Sequence, residues 1–143
     1  MSDFSKNGIS VDFVHDDIPV SNKGVMRMFH FRKKPFGGGK LLSVPSGKIP
    51  IFASDIRSSS EIYGKDVFEI LPAVDSKLPW VPPSFDHRFL APEYSRLHYK
   101  VTCEYNKEWK GGIIWHEPLL NVSWKVSKPH LAESRVSQLW KVV

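Results

Sequence analysis

A histidine, a lysine and a tyrosine, the residue types that can together move a proton beside a carbonyl, stand inside apolar stretches of this chain. His30 lies in Gly24-Val25-Met26-Arg27-Met28-Phe29-His30-Phe31-Arg32, Lys40 follows ten residues later in Gly37-Gly38-Gly39-Lys40-Leu41-Leu42, and Tyr99 sits in Leu97-His98-Tyr99-Lys100-Val101. In such a set a histidine, either His30 or His87, takes the proton, Lys40 holds the enolate oxygen, and Tyr99 returns a proton from the opposite face. Arg27 adds an anion clamp, and Asp55, His87 and Tyr105 are further polar residues embedded in apolar runs. The competing reading of the same residues is structural. It has an edge strand with solvated basic side chains, a hydrogen-bonded histidine and a tyrosine that only packs.

Strands are the elements that would position these groups. Val25, Phe29 and Phe31 suit a strand over Met26 to Phe31, and the glycines at 37–39 suit a tight reversal into a strand over Leu41 to Val44. Val11 to His15 alternates loosely and reads as a strand. Ile49 to Arg57 reads as another, with Pro50 at its start or at an edge, and Ser58-Ser59-Ser60 marks the turn into a strand over Lys65 to Leu71. After a proline-broken stretch, Leu78 to Phe85, a strand over His87 to Ala91 turns at Pro92-Glu93. It leads into Ser95 to Cys103, where Leu97, Tyr99 and Val101 share one face and His98, Lys100 and Thr102 the other. Gly111-Gly112 reads as a turn, Val122 to Val126 as a short strand, residues 130–143 as a tail or short helix, and residues 1–10 as a frayed end. Short strands at regular spacing with turns between them predict an all-β closed barrel or jelly roll. In such a fold alternate residues point inward, toward a shared cavity.

The 143 residues suffice for one domain, 1–143, with a true core, and 41% hydrophobic residues exclude a disordered chain. The apolar runs are too short to cross a bilayer, and residues 1–10 lack the apolar segment of a signal peptide, so no membrane partner is expected. Cys103 is the single cysteine, which rules out an intrachain disulfide and suggests a reducing, cytoplasmic setting. The net charge of +5 suits a phosphate-bearing ligand. Nucleic acid is not expected, because the basic residues are dispersed and no zinc-finger, RNP-like or helix-turn-helix pattern is present. No metal site is expected either: Arg32 beside His30 would repel a cation, and His15-Asp16-Asp17 reads as an exposed acidic loop. Glu104 next to Cys103 disfavours a thiolate nucleophile.

Six stretches, in order, resemble the motifs of the dTDP-4-dehydrorhamnose 3,5-epimerase family over about residues 11–130. Gly24 to Phe31 resembles G-V-x-R-G-x-H-Y, and Gly39 to Val44 resembles G-K-L-V-x-V. Ser54 to Arg57 matches V-D-(I/L)-R, and Trp80 to Phe89 matches W-I-P-x-G-F-A-H-G-F. Tyr99 to Tyr105 matches Y-K-x-T-x-x-Y, and Gly112 to Pro118 matches G-I-x-W-x-D-P. The resemblance implies a homodimeric, cofactor-free cupin-type jelly roll that epimerises a dTDP-4-keto-6-deoxyhexose in deoxysugar biosynthesis. It puts the base on His30, the acid on Tyr99 and the enolate lysine on Lys40. Substrate-binding roles fall on Arg27, His87, Tyr105 and Asp55, and on His15 in the loop pair His15 and Asp17. The chain departs from the pattern at Met28 (glycine in the family), Glu104 (tyrosine) and Arg135 (aspartate), and the family has a longer segment before the first strand. The alternative implied by these departures is a homologue that binds a sugar nucleotide or a partner without turnover.

Overall fold

In the computed structural model, the described residues are 4–27, 30–32, 37–75, 77–104, 110–112 and 130–131. They form β-strands joined by turns, apart from a single 3-10 turn at Phe4–Asn7. That turn lies inside the segment expected to fray, and Phe4 meets Phe13 edge-on with ring centroids 5.9 Å apart.

The strands are β1 (His15–Asp17), β2 (Val20–Ser21), β3 (Val25–Arg27), β4 (His30–Arg32), β5 (Lys40–Ser46) and β6 (Lys48–Asp55), followed by β7 (Asp66–Pro72), β8 (Trp80–Val81), β9 (Phe85–Leu90), β10 (Ser95–Val101), β11 (Lys110–Gly112) and β12 (His130–Leu131). One sheet has the order β1-β10-β5-β8, with β2 also on β10; the other has the order β12-β3-β9-β6-β7, and β4 pairs with β11 separately. Apart from the parallel pair β12–β3, every pairing is antiparallel. This is the expected all-β jelly roll.

The core lies between the two large sheets. Leu42 and Val44 of β5, Leu97 of β10 and Val81 of β8 meet Ile49 and Ile51 of β6, Leu71 of β7 and Phe89 of β9. Each fully buried aliphatic side chain of this kind stabilises the fold by about 1.5–3 kcal/mol before its entropy cost. Strand alternation fixes which polar residues share that interior. Lys40 is in phase with Leu42 and Val44, Tyr99 with Leu97 and Val101, and His87 with Phe85 and Phe89.

Several local expectations are corrected. Val11 to Val14 is not in a strand, and β1 begins only at His15. Gly111-Gly112 is not a turn; it pairs with Phe31 and His30. His130–Leu131 starts no helix; it adds a parallel strand to β3. Pro50 does fall where one side of β6 is unpaired, since β9 pairs with β6 only from Ile51 onward. The glycines at 37–39 are not a positive-φ turn. A Cβ on Gly38 would lie 2.9 Å from the Cys103 side chain, and one on Gly39 2.1 Å from the Trp80 ring. Gly38 and Gly39 are glycines because neighbours close over the backbone there. The expected strand at 122–126 lies outside the described residues.

Candidate functional site

Two facing sheets bring three of the expected residues together. Lys40 is the first residue of β5 and pairs with Val101, while Tyr99 lies two residues back on β10, opposite Leu42. His87 comes from the other sheet, where it pairs with Ala53. Lys40 Nζ is 3.0 Å from His87 Nδ1. It also lies 5.8 Å from the centre of the Tyr99 ring, and the His87 and Tyr99 rings meet edge to face at 6.3 Å.

With Lys40 as an ammonium, which donates and has no lone pair to accept, Nδ1 of His87 is the acceptor in this contact. Lys40 Nζ keeps further N–H donors beyond this contact for an oxygen that gains negative charge. The Tyr99 hydroxyl supplies a further exchangeable proton. All three residues are half-buried, a setting in which aimed donors act more strongly on a developing charge than they would in water.

The other expected residues are distributed around this centre. His30 is on β4, paired with Gly112, and the described part of it is its backbone. His15 and Asp17 alternate onto the same face as their cross-strand partners Val101 and Tyr99, and His15 Nε2 is 3.3 Å from Asp17 Oδ1 at an exposed rim. Asp16 points the other way and accepts from Lys100 Nζ at 3.1 and 3.0 Å. Arg27 is tied to β2: its Nε donates to Ser21 Oγ at 3.0 Å and its Nη2 to the Val20 carbonyl at 2.9 Å. Tyr105 and Arg135 lie outside the described residues.

Asp55 is fully buried, and its oxygens are occupied. Oδ1 accepts from Arg57 N and Nε, both at 2.9 Å; Oδ2 accepts from Arg57 Nη2 and Ser60 Oγ, both at 2.6 Å. Arg57, against the opposing cost of burial, holds this carboxyl far below the usual carboxylate range, with help from Ser60. Asp55 thus fastens the 56–64 loop to the end of β6; its carbonyl also accepts from Gly64 N at 2.8 Å.

The sequence reading missed a buried charge cluster on the back of β9. Asp86 and Arg88 flank His87, point away from the core and are both 0% exposed. Arg88 Nη1 donates to Ser54 Oγ at 2.5 Å and to Asp86 Oδ2 at 3.2 Å, and Nη2 lies 2.5 Å from Asp66 Oδ1. Its guanidinium also covers the Phe52 ring at 5.3 Å. The available signal was an Asp-x-Arg spacing in an apolar strand, which period-two alternation puts on one face, at positions where the family pattern has alanine and glycine.

Comparison with known proteins points to one family. A family model described as dTDP-4-dehydrorhamnose 3,5-epimerase matches residues 1–138. The dTDP-4-dehydrorhamnose 3,5-epimerase of Shigella flexneri is 34% identical over 131 residues, spanning 91% of this chain and 72% of that protein. The enzyme of the same name from Methanothermobacter thermautotrophicus is 35% identical over 141 residues, spanning 96% of this chain and 75% of its own. Among solved structures, the dTDP-6-deoxy-D-glucose-3,5-epimerase of Legionella pneumophila, in complex with dTDP-4-keto-L-rhamnose, superposes with a TM-score of 0.85 at 30% identity, covering 94% of this chain and 72% of that one. A dTDP-4-dehydrorhamnose 3,5-epimerase from Bacillus anthracis with TDP and PPi bound gives 0.85 at 29% identity, covering 90% and 75%.

Proposed function

Since the chain belongs to the dTDP-4-dehydrorhamnose 3,5-epimerase family, we propose that it epimerises a dTDP-4-keto-6-deoxyhexose without a cofactor, as a single jelly-roll domain working in a cytoplasmic homodimer. The observation that carries this reading is the 3.0 Å contact between Lys40 Nζ and His87 Nδ1 with the Tyr99 ring beside it.

The chemistry follows from acidity. A ketone lowers the pKa of the neighbouring C–H bond, but the carbanion forms only if its charge moves onto an oxygen that is already solvated by aimed donors. His30 takes the proton from the carbon next to the ketone. The C–H electrons become the enolate double bond, and the carbonyl pair moves to oxygen. Lys40 holds that oxygen, and His87 positions the Lys40 ammonium through their 3.0 Å contact. Tyr99 then delivers a proton to the opposite face of the carbon, the carbonyl re-forms, and the centre is inverted. Arg27, His15 and Tyr105 serve the nucleotide and sugar ends of the substrate, and the net charge of +5 favours an anionic diphosphate. Asp55 acts at a distance, through the loop it fastens.

Proton NMR in heavy water tests the reading. With dTDP-4-keto-6-deoxyglucose, the protein should wash deuterium into the carbons that are inverted. His30→Ala and Lys40→Ala should each slow the exchange by about 10²–10³-fold, and Tyr99→Phe should slow inversion more than exchange. Tight dTDP-sugar binding without any exchange would instead make this a binding homologue without turnover.

A further inference from the structure

The segment expected to fray leads, ring by ring, to the backbone that carries Lys40. Residues 5–12 are mostly exposed, but Phe4 and Phe13 are half-buried. The Phe4–Asn7 turn closes on itself: Gly8 N donates to the Ser5 carbonyl at 2.9 Å and Ile9 N to the Phe4 carbonyl at 3.2 Å. Phe4 meets Phe13 edge-on at 5.9 Å, and Phe13 meets Trp80 edge-on at 6.3 Å. Val81 is in the core, so its neighbour Trp80 stands on the outer face of the sheet. There the indole lies against Gly39, which is buried; a Cβ on that glycine would come within 2.1, 2.4 and 3.0 Å of three of its ring atoms.

Three consecutive glycines leave residues 37–39 with wide conformational freedom, and Lys40 follows them directly. Contacts fix the run. Gly39 N donates to Thr102 Oγ1 at 2.9 Å, and Thr102 N donates back to the Gly39 carbonyl at 3.2 Å. These bonds resist sliding along the sheet, while the Trp80 ring packed on Gly39 resists movement out of it. We propose that residues 4–13 form a strap on Lys40: Phe4 and Phe13 seat Trp80, Trp80 holds the glycine run, and the run sets the 3.0 Å reach of Lys40 Nζ to His87 Nδ1. The three aromatics are positioning residues, acting through the backbone before Lys40 rather than on the substrate. Edge-on ring pairs are specific in angle as well as in area, so the loss of one ring releases the next.

Nitrogen NMR of the His87 ring tests this in the full-length protein without any substrate, with Lys40→Met marking the Nδ1 signal when the contact is lost. Phe13→Ala should move that signal from its wild-type position toward the Lys40→Met position, and Phe4→Ala should move it the same way by less. Because Phe4 acts through Phe13, Phe4→Ala should add nothing in the Phe13→Ala background. A signal that stays at its wild-type position in Phe13→Ala overturns the proposal, as does a full additional shift in the double variant. Should Phe13→Ala fail to fold, Phe4→Ala, which trims a ring one step further out, decides it by the same signal.

The consequence for turnover rests on the epimerase reading. Lys40 meets its charge in the transition state, so Phe13→Ala should lower kcat about tenfold with KM nearly unchanged. A kcat per folded molecule equal to that of the wild type would reduce the strap to a stabilising contact and overturn the proposal. A shifted His87 signal in a protein that exchanges no deuterium would sink the epimerase reading and leave the strap intact. Deuterium exchange at the wild-type rate in Phe13→Ala, with an unmoved signal, would do the reverse.

Discussion

At the scale of single residues, the sorting of acids and bases by strand phase decides what each can do. Asp55 shows this. In the sequence it is an aspartate at the end of an apolar strand, a natural pocket residue. In the structure Arg57 and Ser60 take up both of its oxygens, so its role is stability. Its pKa is depressed in the folded protein. The contribution is therefore complete above the unfolded value of about 4 and is lost as the pH falls through the folded value. Asp55→Ala should cost about 2 kcal/mol at neutral pH, and in urea denaturation the gap from wild type should close as the solution is acidified below the ordinary carboxylate range. Turnover per folded molecule should stay within about twofold, since surface and loop anchors act on the population of folded protein rather than on the reaction. A hundredfold fall in turnover with the fold retained would return Asp55 to the pocket.

At the scale of elements, the strands with clean alternation were legible in the sequence. Leu97, Tyr99 and Val101 share the inner face as expected, and β5, β6, β7 and β9 begin or end within a few residues of their expected bounds. Legibility failed where the decisive partner is distant in sequence. No local pattern states that His130–Leu131 will pair in parallel with β3, or that Gly111-Gly112 will lie against Phe31 and His30. The site was legible as a set of residue types, but its pairing was not. That Lys40 meets His87, and that Asp86 and Arg88 sit behind it, depends on two sheets facing each other. The glycines before Lys40 illustrate the same limit. They look like a turn, yet Gly39 is required because Trp80 covers it. Gly39 also donates its N–H to Thr102 Oγ1 at 2.9 Å, which seats the start of β5 on the end of β10. Gly39→Ala would drive a methyl into the Trp80 ring and shift the backbone that carries Lys40. A displacement of this kind can cost about 10²-fold in rate. We expect a 10–100-fold fall in deuterium exchange by NMR, with partial rescue in the Gly39→Ala, Trp80→Leu double variant. Additive losses in that double-mutant cycle would mean the two positions do not communicate.

At the scale of the whole molecule, one edge of the jelly roll is conspicuously apolar. β7 pairs with β6 on one side, and among the described residues no strand pairs with it on the other. Its Val67, Phe68 and Ile70 are 65%, 51% and 42% exposed. An exposed edge of this composition is a liability in a free monomer, and the proposed homodimer gives it an occupant. In that proposed homodimer a twofold axis would bring the same strand from a second copy against it, and a single substitution would be felt twice. Phe68 is a poor probe because its ring packs on Phe52 at 4.7 Å, and replacing it would also disturb the sheet. Val67 is the better choice: it is the most exposed of the three, so a lysine there can reach water in a lone subunit but would meet its own copy across the axis. Light scattering should give the wild-type protein twice the mass of one chain, and Val67→Lys should shift it toward the mass of a single chain at micromolar concentration with its circular dichroism unchanged. A variant that keeps the doubled mass would move the contact away from β7. A wild-type protein with the mass of one chain would remove the homodimer from the proposal, and His30 with the Lys40–His87–Tyr99 centre, all within one chain, would then have to account for any exchange.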